Sequence, residues 1–410
     1  MIKENNQSKD YKKVRMNGAL SNLKILDFST LLPGPYASLV LADMGAQVIK
    51  ISSSSRPDIV ADYPPFVDGT DLSANQAWLG RNKKNLFLNL KNPKAIDIVK
   101  ELIMEYDIIL EQFRPGVMDK LGLGYEKLKK INPNLIYCSL TGYGQTGPLS
   151  QNAGHDINYL ARSGNMAHAG KADIGPVLTN MQIADVCAGS MNSVVGILAA
   201  VNYRNMTGEG QYIDISMYDG LIPFNAMDGA GFLVSGEEPK REKQRLNGGC
   251  IYDFYQTKDG EYLSVGCLEP QFWREFCILI DREEYIEGSV CPEEIDNVKE
   301  DIRNVIKNKT KDEWMEIFSG RDVCVEPVLS LKEALIEDEH VKKREMVVDV
   351  KSSQNEDINI KQMGNPIKLS KCPYNYEKSG YPLGYHTKEI ITSMGYSSEE
   401  FEEMNKEGVF

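Results

Sequence analysis

Cysteine and histidine are both scarce in this 410-residue chain: there are eight cysteines, none in a C-x2-C pair, and four histidines (His155, His168, His340, His386) without a close Cys or His neighbour. That spacing argues against a disulfide framework and a structural zinc site, so the chemistry expected needs no metal. Long apolar runs are missing too. The most apolar stretch, residues 191–203, is short and interrupted by Asn and Gly, and residues 1–13 are polar and charged with no signal-peptide core. An excess of positive charge is also absent: 46 Lys and Arg stand against 59 Asp and Glu, a formal charge of −13. An acidic surface repels phosphate backbones and anionic lipid, so neither nucleic acid nor a membrane is expected as a partner. No internal repeat or low-complexity tract is found, and the reading is of a globular cytoplasmic protein.

What is present is a balanced composition, 42% apolar and 26% charged, in a chain long enough for two or three domains at roughly 150 residues each. From residue 23 onward, short β-rich runs alternate with helical stretches, which predicts an α/β fold with a doubly wound parallel sheet. Strands are expected at 23–28, 47–51, 86–90, 107–110, 135–140 and 212–215. Helices are expected at about 36–44, from Pro93 with Asn92 as its N-cap, within 116–130, and over about 18 residues bearing Met191, Val194, Val195, Leu198 and Val201. Residues 53–76, rich in Ser, Pro, Gly and Asp, read as a long loop. After residue 225 the pattern changes. A hairpin is expected from 252–255 and 261–265, then charged helices, one opened by a capping box of Thr310 and Glu313. The predicted division is a polar tail (1–20), a large Rossmann-like domain (21–225) completed by 346–410, and a small α+β domain (226–345).

Gly142, Gly144 and Gly147 follow a predicted strand, where a dinucleotide fingerprint belongs, but Pro148 comes at once and no helix opens there. The glycines instead suit a turn that lets a backbone or ligand come close. Arg81, Asn82, Lys83 and Lys84 form a basic cluster in an acidic protein, and Arg114 precedes Pro115 and Gly116; each is a candidate for holding a diphosphate or a merely solvated turn. His155 and Asp156 open a short helical segment, and Asp185 lies just before the apolar helix. Each taken alone reads as a cap or surface residue, whereas a His and a carboxylate converging on one carbon can exchange its proton from opposite faces. Glu269, before Pro270, is a cap, a solvated acid or a partner that orients a histidine ring.

In order along the chain, Leu23-Lys24-Ile25-Leu26-Asp27-Phe28, Pro33-Gly34-Pro35, Leu41-Ala42-Asp43-Met44-Gly45-Ala46, Arg81-Asn82-Lys83-Lys84, Phe113-Arg114-Pro115-Gly116, Leu121-Gly122-Leu123-Gly124 and Gly142-Tyr143-Gly144-Gln145-Thr146-Gly147-Pro148 resemble the class III CoA-transferase family. The resemblance runs from residue 20 essentially to the end. It implies a Rossmann-like large domain plus a small domain, two chains interlocked into a homodimer, and an acyl-CoA thioester as substrate, with no cofactor beyond its CoA moiety. It implies CoA binding by the clusters at Arg81, Lys83, Lys84 and Arg114 and by the glycine turn at Gly142 and Gly144. Gly154-His155-Asp156-Ile157-Asn158-Tyr159 and Glu269-Pro270-Gln271-Phe272 are similar to the family's 2-methylacyl-CoA racemase branch. That implies catalytic roles for His155 and Asp185 as the two bases, with Glu269 on the histidine and the enolate held by the start of the helix after Asp185. In the transferase branch the aspartate at the place of Asp185 is instead a nucleophile that carries CoA. The long 53–76 loop looks more like that branch, and serine stands where racemases often carry an arginine, unless Arg56 takes its place. A non-catalytic CoA-ester binding protein is the third reading.

Overall fold

Short apolar runs punctuated by helix caps become strands of one sheet. The computed structural model describes residues 18–53, 58–288, 294–374 and 376–410, so most of the expected polar tail, and Arg56, lie outside the described residues. Strands β1 (Lys24–Asp27), β2 (Gln47–Ser52), β3 (Lys83–Phe87), β4 (Ile108–Glu111), β5 (Ile136–Thr141) and β6 (Tyr212–Ser216) lie in the order β3-β2-β1-β4-β5-β6. Neighbours from β3 through β5 pair in parallel. β4 and β5 are buried along their whole length, as expected where helices cover both faces. The chain builds outward from β1 through β2 to β3, then returns to the other side of β1 with β4. Such a reversal opens a crevice at the carboxyl ends of β1 and β4, where α/β sheets hold ligands.

Local signals account for most of the elements. Asn92 caps the helix Pro93–Leu102 through the Lys94 N–H, and Ala95, Ile98, Val99 and Leu102 turn inward onto Leu86, Leu88 and Ile109. The third strand starts three residues earlier than its apolar run, because Lys83 is drawn inside by acceptors under the sheet. Its outer edge is covered: the Asn85 N–H donates to His386 Nδ1 and the Phe87 N–H to Thr387 Oγ1, so the strand offers no open ladder to another chain. The stretch 116–130 holds two short helices, Val117–Leu121 and Tyr125–Leu128, separated at Gly122 with φ +80. The apolar helix is longer than its sequence pattern, running from Ala184 to Thr207, and is the one described helix long and apolar enough to cross a bilayer. Val194, Ile197, Ala200 and Val201 on it are buried.

The chain divides differently from the expectation. One unit comprises residues up to 141, 189–215 and 346–410; the other comprises 142–188 and 216–345. By this division the chain leaves the first unit at Gly142, re-enters at Gly189 within the long helix, and leaves again at Ser216, not near residue 225. Sequence periodicity marks elements but not which neighbours they touch, so this double exit left no trace in it. Residues 346–410 group with the first unit. In the second unit β7 (Asp253–Gln256), β8 (Tyr262–Val265) and β9 (Val325–Pro327) form an antiparallel sheet around Trp273, Phe276, Ile302, Trp314 and Phe318. Thr310 and Glu313 form the expected capping box.

Candidate active site

In the second unit, the glycines after β5 make room for an aromatic ring. A Cβ at Gly142 would come within 2.4 Å of the Tyr159 hydroxyl, and Gly144 has φ +79. Tyr159 donates to the Gly154 carbonyl at 2.6 Å and meets Tyr143 edge-on at 5.1 Å between ring centres. At Gly142 the close approach is made by Tyr159, which seats the helix Asp156–Arg162. His155 precedes that helix in extended conformation, with its backbone N–H on Asn158 Oδ1 at 3.0 Å and its side chain exposed.

Asp156 connects this helix to the next functional residue. Its Oδ1 accepts the Asp185 N–H at 3.0 Å, and its carboxylate also takes the Ala184 N–H. It is a cap, as its residue type suggested, but for a helix 28 residues further on. The run Ala184–Met191 that it caps is wound as a π-helix, a rare form that recurs at functional sites. Asp185 itself is half-buried. Burial first, then the Asp156 charge, push its carboxyl up to about 6, while His155 pulls it back. Two carboxylates and an imidazole therefore share one electrostatic site, and Asp185 is held where it gains and loses a proton near neutral pH. The helix start expected to stabilise an enolate is otherwise engaged, because Asp156 already takes the Ala184 and Asp185 N–H groups. Glu269 stands at the N-cap of the helix Pro270–Leu279 with Pro270 at its first position, exposed, and has no hydrogen bond to His155 among the described residues.

In the first unit the expected anion-binding cations meet different fates. Arg81 is 1% exposed; its guanidinium holds Asp43 with two bonds of 3.0 and 2.7 Å, and also Gln362 and the Met363 carbonyl. Lys83 donates to the Pro35 carbonyl at 2.7 Å and Ser38 Oγ at 2.6 Å, and burial pulls its amine down to about 7. Both are held by partners 38 to 48 residues away, Asp43 for Arg81 and Pro35 and Ser38 for Lys83, beyond local pattern, and Lys83 also lines a pocket with Leu31, Lys50 and Asp58. Lys84 is exposed and paired with Glu389 at 2.7 Å. Arg114 is exposed just past β4, with no ion pair among the described residues. A pocket at the carboxyl ends of β1, β2 and β4 is lined by Phe28, Thr30, Lys50, Ser52, Asp58, Leu90 and Phe113. Lys50, which the sequence reading missed, sends its Nζ toward Asp27 at 3.8 Å, buried and with no hydrogen-bond partner among the described residues. The available signal was a lysine interrupting the apolar run Val48-Ile49-Lys50-Ile51.

Three comparisons bear on this geometry. Residues 20–387 match the family model described as CoA-transferase family III. The chain is 34% identical over 397 residues to alpha-methylacyl-CoA racemase of Homo sapiens, covering 95% of this chain and 97% of that protein. It is 32% identical over 399 residues to succinyl-CoA:glutarate CoA-transferase of Homo sapiens, covering 95% and 89%. The crystal structure of a CAIB/BAIF family protein from Brucella suis superposes with a TM-score of 0.81 at 27% identity, over 92% of this chain and all of that one.

Proposed function

Because this chain belongs to CoA-transferase family III, we propose that it is an enzyme of the cytoplasm that acts on an acyl-CoA thioester, racemising C2 of a 2-methyl-branched acyl group by two-base proton transfer. The observation that carries this reading is that Asp156, next to His155 at the start of its helix, takes the Asp185 N–H at 3.0 Å and so brings His155 and Asp185 to one place, with the Asp185 carboxyl raised to about 6. The thioester carbonyl acidifies the hydrogen on C2. Asp185 accepts that proton from one face, the C–H electron pair moves onto the thioester oxygen, and the imidazolium of His155 returns a proton to the opposite face. The reverse sequence starts with neutral His155 and protonated Asp185. Each unit by which Asp185 rises above 3.8 brings it about 1.4 kcal/mol closer to the substrate's acidity. Asp156 holds Asp185 in place and keeps its proton affinity high.

The CoA nucleotide occupies the crevice at the switch between β1 and β4, where Phe28 and Phe113 offer apolar faces and Lys50 offers charge, with Arg114 exposed next in sequence to Phe113. No further cofactor enters the reading. A homodimer accounts for the helix Ala226–Ser235, which is strongly apolar yet has no buried residue, with Leu233 83% and Val234 91% exposed. Light scattering of the purified chain should give twice the chain mass.

The transferase reading rests on one specific observation, that the similarity to a CoA-transferase is nearly as great as that to a racemase. There Asp185 attacks the thioester carbonyl and expels CoA thiolate, leaving an acyl-aspartyl anhydride. The thiolate attacks the aspartyl carbonyl, releases the donor acid and forms an aspartyl-CoA thioester, from which a free acid takes CoA by the same two steps in reverse. One experiment separates the two. A single enantiomer of a 2-methylacyl-CoA is incubated in D2O without acceptor acid. Deuterium at C2 with loss of optical purity supports racemisation. Absence of exchange, with CoA transfer once a free acid is added, supports the transferase.

A further inference from the structure

The turn that joins β1 to the helix Pro33–Asp43 is held from both sides by carboxylates. At its start Asp27 accepts the Ser29 N–H at 2.8 Å and the Ser29 hydroxyl. At its far side Leu31 has φ +66, the left-handed region that a leucine enters only against strain. Its N–H donates at 3.0 Å to Asp58 Oδ1, and that oxygen also accepts the Val60 N–H at 3.2 Å. Asp58 comes from the long loop after β2, which neither the proton chemistry nor the fold otherwise requires. It lines the switch-point pocket together with Phe28 and Thr30 of the same turn, and it also lines a second pocket with Leu31 and Lys50.

We infer that Asp58 is a positioning residue for the nucleotide end of CoA: by holding Leu31 in its strained conformation it fixes the turn that presents Phe28 and Thr30 to the switch-point crevice. This rests on the proposed placement of the CoA nucleotide there. Without the Asp58 acceptor, Leu31 relaxes toward ordinary backbone angles, the turn reshapes, and the nucleotide loses a preformed wall. The reacting C2 and its bases are untouched. Asp58 thus acts as a strap on the binding edge, which gives it a purpose in either reaction class. A glycine at position 31 occupies φ +66 without strain and no longer needs the strap.

The test measures affinity for free CoA by calorimetry, alongside exchange turnover of a 2-methylacyl-pantetheine thioester that lacks the nucleotide. Asp58→Ala is expected to weaken CoA binding on the order of tenfold and to leave acyl-pantetheine turnover unchanged. Asp58→Asn keeps an acceptor oxygen and should bind like the wild type, and Asp58→Ala/Leu31→Gly should regain most of the loss. Unchanged CoA affinity in Asp58→Ala overturns the inference, as does an equal loss on both ligands or a failure of Leu31→Gly to rescue. If Asp58→Ala does not fold, the double variant is compared with Leu31→Gly alone. Equal CoA affinity supports the strap and a large gap overturns it. A wild-type chain that does not bind CoA at all overturns the functional reading itself, and this inference with it.

Discussion

Asp27 and Asp185 are both aspartates withdrawn from water, and their surroundings move them in opposite directions. For Asp27, complete burial raises the pKa and is the largest single effect, yet Lys50, Lys83 and the hydroxyls of Ser29 and Ser38 together outweigh it and hold the carboxyl below its ordinary value. For Asp185, burial also raises the pKa, and the larger of its two charge effects comes from another carboxylate, Asp156, so the rise persists to about 6. The charges around Asp27 are matched and build scaffold, whereas those beside Asp185 are mismatched and retain a mobile proton. A charged residue's chemistry follows from whether its neighbours complete it.

The largest expected effect falls on the mismatched side. Asp185→Asn should reduce exchange at C2 by about 10²–10⁴-fold, read by deuterium incorporation, while CoA affinity stays unchanged. On the matched side, Arg81→Ala leaves Asp43 buried without its partner and should cost about 3–5 kcal/mol in denaturant unfolding. A loss of CoA affinity without a loss of stability would return Arg81 to the anion site.

Asp156→Asn tests the mismatch itself. With the neighbouring charge gone, the Asp185 carboxyl should fall part of the way from about 6 toward 3.8. For a two-base pair the competent form carries one proton, so kcat/KM should show an acid limb set by Asp185 near pH 6, and an alkaline limb as well. The substitution should move the acid limb to lower pH. A nucleophilic Asp185 acting alone would show the acid limb without the alkaline limb that the pair requires.

The same shift has a stability consequence of smaller size. A carboxyl whose folded-state pKa lies above its unfolded value costs nothing below pH 3.8, and its cost grows to full size above about pH 6. Asp185→Asn should therefore stabilise the fold at pH 8, on the order of 1 kcal/mol after discounting for solvent contact, and have no such effect at pH 4. A uniform effect across pH would mean that the destabilisation is not electrostatic. Smallest of all should be Lys84→Ala, which removes an exposed ion pair with Glu389 and should change stability by about 0–1 kcal/mol.

Much of the scaffold was legible because its signals are local. Asn92-Pro93, the alternation of strand and helix, the hairpin after 252 and the Thr310 capping box all depend on residues within a turn or two of each other. The choice of His155 and Asp185 came from motif resemblance, and their coupling required the fold, since they lie 30 residues apart. What stayed hidden was long-range charge matching. Arg81 and Lys83 read as exposed cations because Asp43 and Ser38 are distant in sequence, and Asp156 read as a cap for its own helix although it caps another. The early departure of the chain at Gly142 was hidden for the same reason.

The most direct test of the two-base pair is the exchange behaviour of His155→Gln with each enantiomer of a 2-methylacyl-CoA, offered separately in D2O. With His155 gone, Asp185 can still remove and return the proton on its own face. Two-base chemistry therefore predicts deuterium incorporation with retained configuration from one enantiomer and no exchange from the other. Exchange of both enantiomers at wild-type rates, or undiminished CoA transfer to a free acid with no exchange at all, would contradict it.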